Sequence, residues 1–114
     1  MINKIIGNKG EKEACKYLKK NGYEILERNY TKFFGEIDII CKKDDVIAFV
    51  EVKSRKNDDY GYAADYVTKS KQEKIIKTAK AYISTNSLHN YYFRFDVIEI
   101  YFEDFKINHI ENAF

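Results

Sequence analysis

Residues 35–55 read GEIDIICKKDDVIAFVEVKSR. Two runs of β-branched and apolar residues flank Asp44 and Asp45, the pattern of two strands joined by a two-residue turn. With that loop Lys43 faces Val46, and the rest of the hairpin follows: Ile40 opposite Phe49, Asp38 opposite Glu51, Glu36 opposite Lys53. Strand side chains alternate with period two, so Glu36, Asp38, Ile40, Phe49, Glu51 and Lys53 share one face. The other face carries Ile37, Ile39, Cys41, Val46, Ala48, Val50 and Val52 and is wholly apolar. A one-residue slip would destroy this division. The first face is apolar near the turn and charged at its far end, as in a core face that opens into a polar cleft.

Facing carboxylates are costly. Cross-strand neighbours have Cβ atoms ~5 Å apart, where like charges destabilise. At an effective dielectric of ~20 the repulsion is on the order of 3 kcal/mol. Either one carboxyl keeps a proton or a cation lies between them. Two hard oxygen donors with open positions suit Mg2+ or Mn2+, which take carboxylates together with water and phosphate. Lys53 lies about 6.5 Å beyond Glu51 on the same face. Its ammonium is placed to orient or deprotonate a water, or to stabilise developing charge, in metal-assisted phosphodiester hydrolysis. Glu51-Val52-Lys53 alone would read as an ordinary solvated ion pair; the facing Asp38 and the apolar surroundings favour a site.

The remaining chain supplies a frame for this hairpin. Ala14, Cys15 and Leu18 mark a helix over about Asn8 to Asn21, stopped by Asn21-Gly22. YEILERNY reads as a first strand and Thr31 to Phe33 as a turn, with strands from Phe34 to Cys41 and Val46 to Ser54. A long helix follows from about Thr68 to Asn86, capped by Ser70 with Glu73 or by Thr68, its stripe being Ile75, Ile76, Ala79, Tyr82 and Ile83. FRFDVIEIYF is a further strand, and KINHIENAF can add a short edge strand. The order is αβββαβ. Three strands form a meander, and the long helix allows a parallel fourth strand, giving an α/β fold with a mixed β-sheet flanked by helices. Its 114 residues fit a single domain, 1–114.

Two positions on the helices join the site. Glu11 lies on the core-facing stripe of the first helix, although a first-turn Glu also suits the helix dipole. Gln72 extends the apolar stripe of the second helix by one turn, where a solvated Gln is the ordinary alternative. Lys69, Lys71, Lys74, Lys77 and Lys80 load that helix, and Arg55 and Lys56 lead into the loop before it. With Lys53 they form a basic rim suited to phosphate contacts, or else an ordinary solvated helix face. Tyr60 and Tyr62 are placed either to stack on unpaired bases or to pack the loop.

Charge does not select a partner, because the 38 charged side chains nearly balance at net +2. Cys15 and Cys41 stand in apolar surroundings without zinc-ligand spacing, as expected of reduced core thiols in the cytoplasm. No apolar run approaches the ~20 residues of a membrane span, and the N-terminus is too broken for a secretory leader. A Gly-rich phosphate cradle is absent, which argues against a small-molecule phosphoesterase.

The stretches KGEKEACKYLKKNGYEILERNY, GEIDII, FVEVKSR, VTKSKQEKI, FRFDVIEI and the closing NAF together resemble the PD-(D/E)XK nuclease superfamily. More narrowly, they resemble the YraN-like family of small predicted endonucleases. The resemblance implies the restriction-endonuclease-like αβββαβ core. It implies metal ligands at Asp38 and Glu51, the catalytic lysine at Lys53, and a first-helix glutamate at Glu11 that joins the metal set. Gln72 matches the helix glutamine of some subgroups, and Ile37 stands where the superfamily's name has proline. The implied activity is Mg2+- or Mn2+-dependent endonucleolytic cleavage of DNA. A similarity to small archaeal Holliday-junction resolvases extends this to branched DNA, for which a two-fold homodimer is expected. The rival expectation is a nucleic-acid-binding module that keeps the fold without turnover, with Lys53 paired to Glu36 and Asp38 protonated or bridged.

Overall fold

The fold was analysed in a computed structural model, which describes residues 2–56 and 67–114, with the backbone alone for 2–8. Tyr60 and Tyr62 lie outside the described residues. The elements are α1 (Ile2–Lys20), β1 (Glu24–Lys32), β2 (Gly35–Lys43), β3 (Val46–Arg55), α2 (Lys69–Thr85), β4 (Tyr92–Tyr101) and β5 (Lys106–Ile110). The sheet runs β1-β2-β3-β4-β5. Neighbours are antiparallel except β3 and β4, whose parallel pairing is made possible by the α2 crossover. The sheet is therefore mixed, and the tail contributes the edge strand β5.

Each helix covers one face. Ala14, Cys15 and Leu18 of α1 pack on Ile39, Cys41, Ala48, Val50 and Ile98. Ile75, Ala79 and Tyr82 of α2 pack on Ile37, Ile40, Ile47, Phe49 and Val97. Among the described residues no helix is long and apolar enough to cross a membrane.

Helix α1 begins at Ile2, earlier than the expected Asn8, and passes through Gly7 and Gly10. Helix-interior glycine costs only about 1 kcal/mol. At Gly10 a Cβ would fall on Ser54 Oγ of β3, so glycine sets how closely α1 approaches the sheet. The expected stop at Asn21-Gly22 is present. Gly22 has φ 91°, its N–H bonds Lys19 O at 3.1 Å, and the Tyr23 N–H bonds Leu18 O at 2.9 Å, a Schellman closure. Helix α2 is capped by Thr68, whose Oγ1 accepts from the Lys71 N–H at 3.1 Å. The Ser70–Glu73 alternative is not used.

The first turn lies at Phe33–Phe34 instead of Thr31–Phe33, because Lys32 pairs with Gly35 and β1 runs on to Lys32. Gly35 is pressed against α2: a Cβ there would sit 2.7 Å from Thr78 Oγ1 and 3.0 Å from Lys74 O. The hairpin register from Lys43↔Val46 through Ile39↔Val50 is as expected.

Beyond Ile39 the expected pairing fails. Backbone pairing of β2 with β3 stops there, so Asp38 and Glu51 are not ladder partners. Ile37 also joins the α2 face with Ile40, although it was expected beside Ile39. The change falls where β1 and β2 lose their mutual pairing for one residue each, at Asn29 and Asp38. Asn29 in β1 adopts φ 52°, and on either side of it Arg28 pairs with Ile39 and Tyr30 with Ile37. Left-handed backbone in a strand is tolerated by Asn far better than by a β-branched residue. The hairpin tip thereby swings toward α2, and β2 parts from β3 at Asp38.

Replacing Asn29 therefore separates conformational from packing effects, since its side chain is exposed. Asn29→Val is expected to lower stability by about 1 kcal/mol or more, and Asn29→Gly to be nearly neutral. Thermal denaturation of the two variants checks this; equal stability would mean that the left-handed backbone does not set the splay.

Candidate metal centre

The splay leaves the Val52 N–H of β3 without a strand partner. Asp38 supplies one, its Oδ2 accepting from Val52 N at 2.8 Å, as a buried donor requires. The Asp38 side chain thus takes the place of a backbone carbonyl in the gap between β2 and β3. Glu51 precedes Val52, and its carboxyl is near enough to act on that of Asp38. Asp38 is 8% exposed and Glu51 7%. Burial first, and then the neighbouring Glu51 charge, push the Asp38 carboxyl up to about 8, against a lowering contribution from the Val52 bond. Asp38 accordingly keeps its proton to higher pH than an ordinary carboxyl. The two carboxyl groups act on each other through their side chains, and the expected ladder opposition is absent.

Cations approach Glu51 from α2 and from β3 itself. Lys71 Nζ lies 3.0 Å from Glu51 Oε1, and Lys53 Nζ lies 4.0 Å from the same oxygen. Burial, and next the charge of Lys71, lower the Lys53 pKa below the ordinary lysine value. For Lys71 burial acts in the same direction, but Glu51 outweighs it and the pKa is raised. Lys53 thus gives up its proton more readily than Lys71, which is the firmer countercharge. Glu36, expected opposite Lys53, is exposed and lines a groove of about 310 Å³ with Gly35, Thr68, Ser70, Lys71 and Lys74.

The helix residues are placed differently from this pair. Glu11 is near enough to add a small upward push on Asp38, but its carboxylate is directed to Arg28, Oε2 to Nη2 3.9 Å. Gln72 donates its amide to Val67 O at 3.0 Å, closing the turn that enters α2. Among the described residues no three carboxylate, histidine or cysteine side chains gather into a cation site. Two carboxyl groups are what the fold brings together, and Mg2+ is commonly held by one or two with water and phosphate completing its sphere.

The basic rim divides. Lys56, Lys69 and Lys74 are exposed. Arg55 is 15% exposed and pairs with the fully buried Glu99, Nε to Oε2 3.7 Å. Glu99 also accepts from Tyr101 Oη and, at 2.7 Å, from Asn108 Nδ2, which ties β4 to β5. Sequence reasoning missed this carboxylate and a second one. Asp96 is fully buried, bound by Arg94 Nη2 at 2.8 Å and His109 Nε2 at 2.7 Å. Arg94 reaches Tyr23 Oη at 2.6 Å, and the Asn112 N–H bonds Asp96 Oδ1 at 3.2 Å. Burial disfavours the Asp96 charge, but the His109 and Arg94 bonds outweigh it and hold its pKa below the usual carboxylate range. Arg94 and Asp96 sit two apart in an apolar strand, as Glu51 and Lys53 do, so the same signal was available. The closing NAF is anchored there too: Ala113 N–H bonds Phe95 O at 2.8 Å, and Phe114 stacks on Phe95 at 5.3 Å.

A mixed sheet between two helices, with an acidic pair and a lysine where the central hairpin opens, defines an α/β protein with a restriction-endonuclease-like αβββαβ core. Residues 10–100 match the family model described as "Uncharacterised protein family UPF0102". A UPF0102 protein of Clostridium beijerinckii is 53% identical over 99% of this chain and 95% of its own length. One of Clostridioides difficile is 53% identical over the full length of both chains. Another, of Clostridium tetani, is 52% identical over 98% of this chain and 95% of its own. The chain belongs to family UPF0102, the YraN family.

The raised Asp38 pKa fixes the sign of a pH effect. The folded state keeps a proton that the unfolded chain loses near pH 3.9, so this contribution is greatest below that value and disappears as pH rises through about 8. Asp38→Asn keeps an acceptor for Val52 and cannot ionise. Its stability relative to the natural protein is expected to rise between about pH 4 and 8, by at most ~1.4 kcal/mol per pH unit. Urea denaturation across that range checks it, and a constant difference would mean an ordinary Asp38.

Proposed function

We propose that this protein is a Mg2+- or Mn2+-dependent endonuclease that hydrolyses DNA phosphodiester bonds. The observation that carries this reading is the buried Asp38–Glu51 pair beside Lys53. A buried acidic pair is destabilising unless it is protonated or bridged by a cation. Asp38 and Glu51 would hold the ion. Bound there, Mg2+ or Mn2+ supplies polarisation of the phosphate and a lowered water pKa.

This chain's residues do the rest. Lys53, its ammonium disfavoured by burial and by Lys71, accepts the proton of the attacking water. The water oxygen bonds to phosphorus as the bond to the leaving sugar oxygen breaks. Lys69 and Lys74, with Lys56 beyond them, line the approach of the phosphate backbone. In this reading Gln72 positions the entry to α2 and Glu11 adds negative field, and Arg55 holds the sheet edge through Glu99. Four-way DNA is a candidate substrate, for which a two-fold homodimer would be expected. Free, buried Cys15 and Cys41 suit a reducing cytoplasm.

A second reading, a DNA-binding module without turnover, is favoured by one observation: Lys71 already neutralises Glu51. A cleavage panel decides between them. Duplex, single-stranded, flap and four-way DNA are incubated with Mg2+ or Mn2+ and the natural protein, Glu51→Ala or Lys53→Met. The endonuclease reading expects cleavage of at least one substrate and a loss of about 100-fold or more in each variant. DNA binding with no cleavage of any substrate supports the second reading, and cleavage that survives in Glu51→Ala would falsify the site.

A further inference from the structure

Lys71 links two regions that otherwise stand apart. Its Nζ is 3.0 Å from Glu51 Oε1, and its side chain also lines the groove beside Glu36, Ser70 and Lys74. Its backbone is fixed, since its N–H is held by Thr68 Oγ1. Its side chain is 42% exposed, against 25% for Lys53. Of the two ammonium groups on Glu51, Lys71 is therefore the one with room to leave.

We propose that Lys71 is a positioning residue: it neutralises Glu51 in the resting protein and turns into the Gly35–Lys74 groove, onto a DNA phosphate, when Glu51 takes a dication. This rests on the preceding reading of Asp38 and Glu51 as the cation site. A dication binds a carboxylate oxygen at ~2.0–2.1 Å when it is Mg2+, and an ammonium 3.0 Å from that oxygen would face it with like charge. Release of the ammonium into the groove lowers that repulsion and creates a phosphate contact in one movement. The dication and DNA thereby favour each other, as reciprocal linkage requires. Lys74, on the same groove and without a carboxylate partner among the described residues, adds affinity that does not depend on the ion. Glu36 on the groove's rim repels phosphate and makes the arrival of a second lysine more consequential.

The test measures DNA affinity by fluorescence anisotropy, with and without Ca2+, for the natural protein, Lys71→Met and Lys74→Met. The DNA is verified as uncut afterwards. Calorimetry with Mn2+ alone accompanies it. In the natural protein Ca2+ is expected to tighten DNA binding by about tenfold, within the ordinary range for coupled sites. In Lys71→Met that gain is expected to fall to about twofold or less, and Mn2+ alone to bind more tightly than in the natural protein. In Lys74→Met affinity falls while the tenfold gain remains. An unchanged gain in Lys71→Met, or no gain in the natural protein although it binds Mn2+, overturns this inference and leaves the cation site standing. Failure of the natural protein to bind Mn2+ overturns both.

Discussion

Two carboxyl groups buried against each other, Asp38 and Glu51, are the constraint to which the rest of this structure answers. They meet where β2 leaves β3 after Ile39. That departure exposes the Val52 N–H, and Asp38 binds it. Burial and the neighbouring Glu51 charge raise the Asp38 pKa there, despite the Val52 bond. Lys53 and Lys71 then compensate Glu51 from β3 and α2. The close seat of Gly35 on α2 and of Gly10 on β3 brings the helices near enough for this to happen.

The other buried carboxylates show what a purely structural solution looks like. Asp96 receives Arg94, His109 and the Asn112 N–H, and its charge is favoured despite burial. Glu99 receives Arg55, Tyr101 and Asn108. Both are satisfied by donors from β4, β5 and their neighbours. Among the described residues, Asp38 instead has one backbone donor and a second acid. A buried group left in that condition is a functional-site candidate on physical grounds.

Much of this was legible in the sequence because period two is unforgiving. The Asp44-Asp45 turn set the register through Ile39↔Val50, and the apolar stripes on either side identified the helices that cover them. The splay was not legible. It depends on the left-handed backbone of Asn29 in β1, a residue whose type permits that conformation without demanding it. The face change at Ile37 followed from it. Lys71 was read as part of a phosphate rim, because nothing in a Lys-rich helix says which ammonium will find a carboxylate. Arg55 was read the same way, since its partner Glu99 lies in a distant strand that is adjacent only after the parallel crossover. Glu11 was placed on the correct helix face, but its partner on β1, Arg28, becomes visible only in three dimensions.

The central claim is that Asp38 keeps a proton that a dication held with Glu51 must displace. Calorimetric titration of the protein with Mn2+ at pH 7, in two buffers of different ionisation enthalpy, measures that displacement directly. Release of about one proton per ion bound is expected, because ligand carboxylates must be ionised. Binding without proton release, or no binding at all, would contradict it.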